Sequence, residues 1–192
     1  MTILEKILKN KLAVAASELQ ILEVFPLVEL ISARSNPQDS QSIISSAPRA
    51  YIGNGEYVEV INSENYAYFR MNGRASVQNN DSEGVSGCDY IQTTTYPIRL
   101  VAYLPKTLAN CDGAFAEEYL IRALIGKITG AKLDGLNVSD AYVRVTAYNT
   151  DRIQTWNSEF RGFPLASRFT HVHVYIDLNI VVSLNSNCLN IC

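Results

Sequence analysis

The segment from Val172 to Leu184 restricts the fold more than any other part of the chain. Apolar residues occupy every second position, at Val172, Val174, Ile176, Leu178, Ile180, Val182 and Leu184, and mostly polar residues fill the alternate positions. Because successive side chains of a strand point to opposite faces, this pattern predicts a strand with one face in the core and one in water. Counted from Thr170, the strand would reach about 50 Å at ~3.3 Å per residue, so we expect it to project beyond its domain or to bend at a bulge.

Other alternating segments predict further strands. Tyr57 to Ile61 and Tyr66 to Arg70 flank the polar residues 62–65, which is typical of a hairpin. The residues from Tyr90 to Leu104 alternate over a longer stretch and predict a long strand. Pro97 within that stretch favours an edge position or a bulge, because proline has no backbone N–H for a ladder hydrogen bond.

A last strand is predicted from Ala141 to Tyr148, with one small apolar face and one polar face that carries Tyr142, Arg144 and Tyr148. The chain has 11 tyrosines against 6 phenylalanines and 1 tryptophan. Tyrosine gives a large, fairly rigid contact area with a polar tip and is enriched where protein surfaces meet. We therefore interpret this face as a subunit contact in preference to a surface on which nucleic-acid bases stack.

Two helices are predicted from apolar residues at helical spacing. The first, amphipathic helix covers Ile3 to Ala16, and the second covers Ala114 to Thr129, where a following glycine fits a helix stop. Between the first helix and the strands, residues 18–31 are predicted to be helix, or helix that breaks at Pro26.

The order of these elements predicts a single α+β domain over residues 1–192. We expect a mainly antiparallel sheet with long strands, and helices packed on one of its faces, because no regular β-α-β alternation is present. Polar, turn-rich stretches predict mobile loops near 32–48 and 76–88, and residues 151–164 are predicted to be irregular.

Composition excludes several classes of function. The formal net charge is −3, with 16 basic and 19 acidic side chains, so no general positive field is available to bind phosphates. Sequence-specific DNA binding is therefore disfavoured. No apolar run reaches the 18 residues of a spanning helix, and the first residues do not follow the pattern of a signal peptide. We expect a protein that is made and kept in a cytoplasm, with no membrane partner.

His171, His173 and Asp177 are the strongest candidates for chemistry. Their spacing places two imidazoles and a carboxylate on one face of a strand, and these groups together often bind metals. Asp177, however, lies some 13 Å from His173 at ~3.3 Å per residue, which is too far for one ion. We therefore predict no metal site, and a metal-dependent or hydrolytic enzyme that uses His171 and His173 stands as the alternative function.

The order of elements resembles the tail terminator, or tail completion, proteins of tailed bacteriophages. The resemblance rests on the helix Ile3 to Ala16, the segment Tyr96 to Tyr103 that leads to the helix Ala114 to Thr129, and then Ala141 to Tyr148 and Phe169 to Leu184. It spans most of the chain and includes no short signature motif.

This resemblance implies a structural virion subunit of a phage tail or neck that is assembled in the bacterial host cytoplasm. Such subunits form a homo-oligomeric ring, expected here to be a hexamer, which closes the tail tube and joins it to the head. The implied partners are tail tube and head-tail connector proteins, and DNA passes through the lumen without specific contacts. No enzymatic activity, catalytic residue or cofactor is implied.

Overall fold

The computed structural model describes residues 2–19, 21, 23–34, 36, 38–41, 44–53, 56–60, 65–81, 90–105, 107, 116–159 and 171–186. The N-terminal helix consists of α1 (Ile3–Ile7), a π-helical turn (Leu8–Leu12) and α2 (Ala13–Ser17). The remaining elements are β1 (Glu23–Arg34), β2 (Ile44–Gly53), β3 (Glu56–Glu59), β4 (Tyr66–Met71), β5 (Ser76–Asp81), β6 (Tyr90–Pro105), α3 (Ala116–Thr129), β7 (Asp140–Asn149), α4 (Arg152–Glu159) and β8 (His171–Ser186).

The eight described strands form one sheet, in the order β3-β2-β1-β4-β6-β8-β7, with β5 pairing with β6 beyond the end of β4. Neighbouring strands are antiparallel except for β1 and β4, which are parallel. The predicted α+β class with a mainly antiparallel sheet is therefore confirmed.

The centre of the sheet is the pair of long strands β6 and β8. They stay in one register over 16 residues each, from Tyr90 opposite Ser186 to Pro105 opposite His171. The two long strands predicted from the sequence are thus confirmed. Because β6 is as long as β8, the length of β8 is accommodated by its neighbour, and β8 does not have to project alone or bulge against β6.

Pro97 lies in this central strand, so the predicted edge position is wrong. Its carbonyl accepts a hydrogen bond of 2.9 Å from the Asn72 backbone N–H, just where the neighbour of β6 changes from β4 to β5. The N–H and C=O of one strand residue point to the same side of the strand. The missing N–H of Pro97 therefore faces the junction between β4 and β5 and removes no ladder hydrogen bond.

The N-terminal helix and α3 pack on one face of the sheet, which we call the helix face. Fully buried residues of both helices, such as Ile7, Leu12 and Ile121, contact the apolar side chains of the strands. The strand residues of this core are Ala67, Phe69, Ile98, Leu100, Ala102, Leu104, Val172, Val174, Ile176, Leu178, Ile180 and Val182. The two helices predicted from periodicity are confirmed and share one face, as expected.

The opposite face, which we call the tyrosine face, carries Tyr66, Tyr68 and Tyr103, with Val28, Ala50, Val60 and Val101 in the same buried cluster. The helix α4 packs on this face through Glu159, which contacts β4 and β6. The sequence predicted only irregular structure here. Within the described residues, no helix is long and apolar enough to cross a membrane.

Several local predictions are wrong. Residues 18–31 do not continue as helix, because most of this segment belongs to β1, where a register shift against β4 between Phe25 and Val28 accommodates Pro26. The predicted hairpin also fails: β3 pairs with β2, whereas β4 lies between β1 and β6. Local alternation identifies strands but does not select their partners, which are chosen by tertiary packing.

The two predicted loops are shorter than expected. In the segment 32–48, β1 continues through Arg34 and β2 begins at Ile44, so the two strands form an antiparallel pair. In the segment 76–88, residues 76–81 form β5, and residues 82–88 lie outside the described part of the chain.

Candidate functional site

His171 and His173 lie on the tyrosine face at the start of β8, beside Tyr103 of β6. The ring centroid of Tyr103 is 4.8 Å from that of His171 and 4.2 Å from that of His173, with the rings stacked in both pairs. His173 is only 1% exposed, and His171 is half-buried. The prediction that this face of β8 lies in water is therefore wrong at His173.

Asp177 binds an arginine instead of joining the two histidines. Arg99 Nε and Nη2 donate to the two carboxylate oxygens of Asp177 at 2.7 and 2.9 Å, and Asn72 Nδ2 donates to Oδ1 at 3.0 Å. Across the part of the chain that the structure describes, no group of three His, Cys, Asp or Glu residues is placed to hold a metal ion. His171, His173 and Asp177 therefore belong to two separate clusters.

A buried ionic network surrounds Glu159 at the end of α4. Arg70 binds both of its carboxylate oxygens, with Nε to Oε2 at 2.7 Å and Nη2 to Oε1 at 2.6 Å. Arg99 Nη1 donates to Oε1 at 3.3 Å, and the Tyr68 hydroxyl donates to Oε2 at 3.0 Å. Glu159 is 0% exposed, so these donors replace the water that its charge loses on burial.

The network also shifts the pKa values of its neighbours. Burial raises the pKa of Tyr68 well above its usual value, and the negative charge of Glu159 raises it further. Burial by itself lowers the pKa of Arg99, but its hydrogen bonds and charge pairing with Asp177 and Glu159 outweigh that effect and raise it. Arg99 also lies 3.9 Å from the ring centroid of Tyr175, at cation–π distance. The network thus extends to higher pH the range over which Tyr68 is neutral and Arg99 is charged.

The position of α4 explains why sequence reasoning missed this network. Asp151 begins the helix, because its Oδ1 accepts a hydrogen bond of 3.0 Å from the Gln154 backbone N–H, a typical N-cap. That capping signal was available in the sequence. The side of the sheet on which α4 packs was not, since Glu159 meets Arg70 and Arg99 only after three distant segments come together.

The strand β7 ends the strand order on one side, where no described strand pairs with its outer side, and it carries exposed tyrosines. We call such an outer side an open edge. Tyr142 lies opposite Val181 on the tyrosine face, but a register shift between Val145 and Ala147 changes the alternation. Tyr148 therefore lies opposite Ile176 on the helix face. The prediction that Tyr142 and Tyr148 share one face is wrong, and β7 instead exposes a tyrosine on each face, at 47% and 52%.

The strand β3 ends the strand order on the other side and is likewise an open edge within the described residues. Its exposed side chains include Glu56, Tyr57 and Val58, the last two at 42% and 40% exposure. Exposed aromatic and apolar side chains therefore lie at both ends of the strand order. Side chains of this kind are common at the contacts between proteins.

A groove of about 650 Å³ lies between the N-terminal helix and α3 on the outer side of the helix layer. Two ion pairs span it: Lys11 with Asp134 at 3.2 Å, and Lys127 with Glu18 at 2.6 Å. The described residues that line the groove include no serine, cysteine, histidine or tyrosine.

Comparison of the chain with protein-family models and with curated proteins finds no match.

Proposed function

We propose that this protein is a structural subunit of a tailed bacteriophage, in which it forms a ring that closes the tail tube and joins it to the head. The observation that carries the proposal is a single sheet in which the strands at the two ends of the strand order, β3 and β7, have no partner on their outer side among the described residues, and both expose aromatic and apolar side chains. The order of helices and strands that resembles tail terminator proteins supports the same function.

Two different edges favour a ring over a two-fold dimer. A two-fold contact uses the same patch on both subunits, whereas a head-to-tail contact joins two different patches and closes into a ring when the rotation allows it. The edges of this sheet differ in length, with 4 residues in β3 and 10 in β7. They also differ in charge, since β3 carries Glu56 and Glu59, whereas β7 carries one acidic and one basic residue, Asp140 and Arg144.

The alternative function, an enzyme that uses His171 and His173, gains no support from their surroundings. Catalysis or metal binding would need imidazole nitrogens that a substrate or ion can reach. His173 is almost fully buried and both rings stack on Tyr103. The described residues around them fit a packed aromatic cluster better than an open site.

The proposal is tested by light scattering and electron microscopy of the purified protein. The expected result is a mass several times the 21.3 kDa of one chain, with particles that show a central hole. Antibody labelling of virions that contain the chain should then mark the junction of tail and head. A protein that stays monomeric at high concentration, or labelling elsewhere on the particle, would contradict the proposed function.

A further inference from the structure

The outer side of β7 is suited to pair with another strand. Its ten residues include no proline and no lysine, and no strand of the described chain pairs with that side. Proteins usually protect long open edges with such residues or with bulges, because free backbone N–H and C=O groups bind strands of other chains. The register shift in β7 follows Val145, so the stretch from Asp140 to Val145 stays regular.

Glu56 of β3 and Arg144 of β7 carry opposite charges. Glu56 is exposed on β3 and Arg144 is exposed on β7, and neither forms an ion pair with a described residue. Two copies of β3 side by side would give Glu56 no positively charged partner on the neighbouring strand. A contact between β3 and β7 pairs Glu56 with Arg144 and covers the outer sides of both strands at once.

The topology gives the two edges compatible directions. Following the strand pairings across the sheet, β3 runs parallel to β1 and β4, whereas β7 runs antiparallel to them. A rotation about an axis along the strands keeps these directions unchanged. Such a rotation therefore places β7 of one copy antiparallel to β3 of the next.

The faces of the two strands match as well. Val58 lies opposite Ala50, which belongs to the buried cluster of the tyrosine face, so Glu56, two residues away, lies on that face too. Arg144 and Tyr142 lie opposite Asn179 and Val181, on the same face. An antiparallel register with Glu56 opposite Arg144 then places Val58 opposite Tyr142.

We propose that β7 of one subunit pairs antiparallel with β3 of a second copy of this chain in that register, so that the sheet continues from subunit to subunit. This inference rests on the proposed ring and identifies its subunit contact. The Glu56–Arg144 ion pair sets the register, and the contact of Val58 with Tyr142 contributes apolar packing beside it.

Disulfide trapping tests the register. Directly opposite residues of an antiparallel pair have Cα atoms about 4.5–5.5 Å apart, which a disulfide can span. The double variant Val58→Cys with Tyr142→Cys should form, on mild oxidation, a ladder of covalent oligomers up to the ring size. The matched control, Val58→Cys with Tyr148→Cys, should not, because Tyr148 lies beyond the bulge and on the other face. Oxidised wild type gives the background of the four native cysteines.

Charge reversal gives an independent test that leaves the fold intact, because both side chains are exposed. Arg144→Glu should weaken assembly at least about fivefold, measured as the concentration at which half the subunits are assembled. Combining it with Glu56→Arg should restore most of the loss. Lys127→Glu, which removes an exposed ion pair with Glu18, is the control and should change assembly little.

The outcomes separate this inference from the proposed function. Rings that form without the Val58–Tyr142 link and are insensitive to Arg144→Glu would refute the strand pairing and leave the proposed function standing. Dimers trapped by Tyr142→Cys alone would show that two β7 strands pair, which also refutes it. Rings that form the Val58–Tyr142 disulfide would support the strand pairing. If antibody labelling of virions then does not mark the junction of tail and head, the proposed function is refuted and the pairing stands.

Discussion

The two faces of the sheet are buried in different ways. On the helix face, residues such as Phe69, Leu100 and Ile176 are buried by apolar packing against two helices. On the tyrosine face, Glu159 is buried as deeply, but among arginines and tyrosine hydroxyls. The comparison teaches that alternation with polar residues does not show that a strand face lies in water, because paired charges can be buried as completely as leucines.

The helix face should tolerate charge least. Ile176→Asp or Leu178→Asp places an unpaired carboxylate among apolar side chains that are about 99% buried, at a cost of several kcal/mol. We expect neither variant to fold, as judged by soluble yield and circular dichroism. Tyr175→Ala, on the opposite face of the same strand, should be milder, and equal loss of soluble protein in all three would contradict the assignment of faces.

Substitutions in the ionic network on the tyrosine face should have the second largest effect on stability. Glu159→Gln removes the charge that compensates Arg70 and Arg99, which are 13% exposed, and should lower the free energy of unfolding by about 3 kcal/mol. Urea denaturation measures the loss. Glu118→Gln is the matched control, because Glu118 pairs with Arg122 at an exposed site and should cost about 0.5 kcal/mol or less. Equal losses of unfolding free energy in Glu159→Gln and Glu118→Gln would show that the burial of Glu159 does not increase the contribution of its ion pairs to stability.

The buried tyrosines should make stability fall at alkaline pH. The pKa of Tyr68 is raised in the folded protein by burial and by Glu159, so the stabilisation of its neutral form is complete below the unfolded value of about 10. It is lost as the pH rises from there through the folded pKa, by about 1.4 kcal/mol per pH unit for each such tyrosine. Tyr68→Phe should therefore reduce the slope between about pH 10 and 11. An unchanged slope in Tyr68→Phe would contradict this assignment.

Substitution of the two histidines should have the smallest effects on stability. His173→Ala removes a buried ring stacked on Tyr103 and should cost about 1–2 kcal/mol. His171→Ala, at a half-buried position, should cost about 0.5 kcal/mol, measured by thermal or urea unfolding. An equal cost for both would show that burial on this face contributes little to stability.

The elements of the fold could be predicted from local patterns, but their partners could not. The strands β6, β7 and β8 and the helix α3 follow from periodicity, because period 2 and period 3.6 each give an apolar face that must be buried. The predicted pairing of β3 with β4 failed, since β1 lies beside β4 and the segment of β1 was predicted to be helix. The segment of β2, the actual partner of β3, was predicted in part to be a loop, so missing β1 and β2 left β3 and β4 as apparent neighbours.

The sequence by itself determined the α+β class and the apolar face of β8, because each follows from spacing within one segment. Only the tertiary structure decided that Glu159 meets Arg70 and Arg99, that Tyr103 stacks on His171 and His173, and that β3 and β7 lie at the two ends of the strand order. These contacts join residues far apart in the chain. Their existence depends on which strands and helices pack together, and a local pattern of hydrophobicity carries no information about that choice.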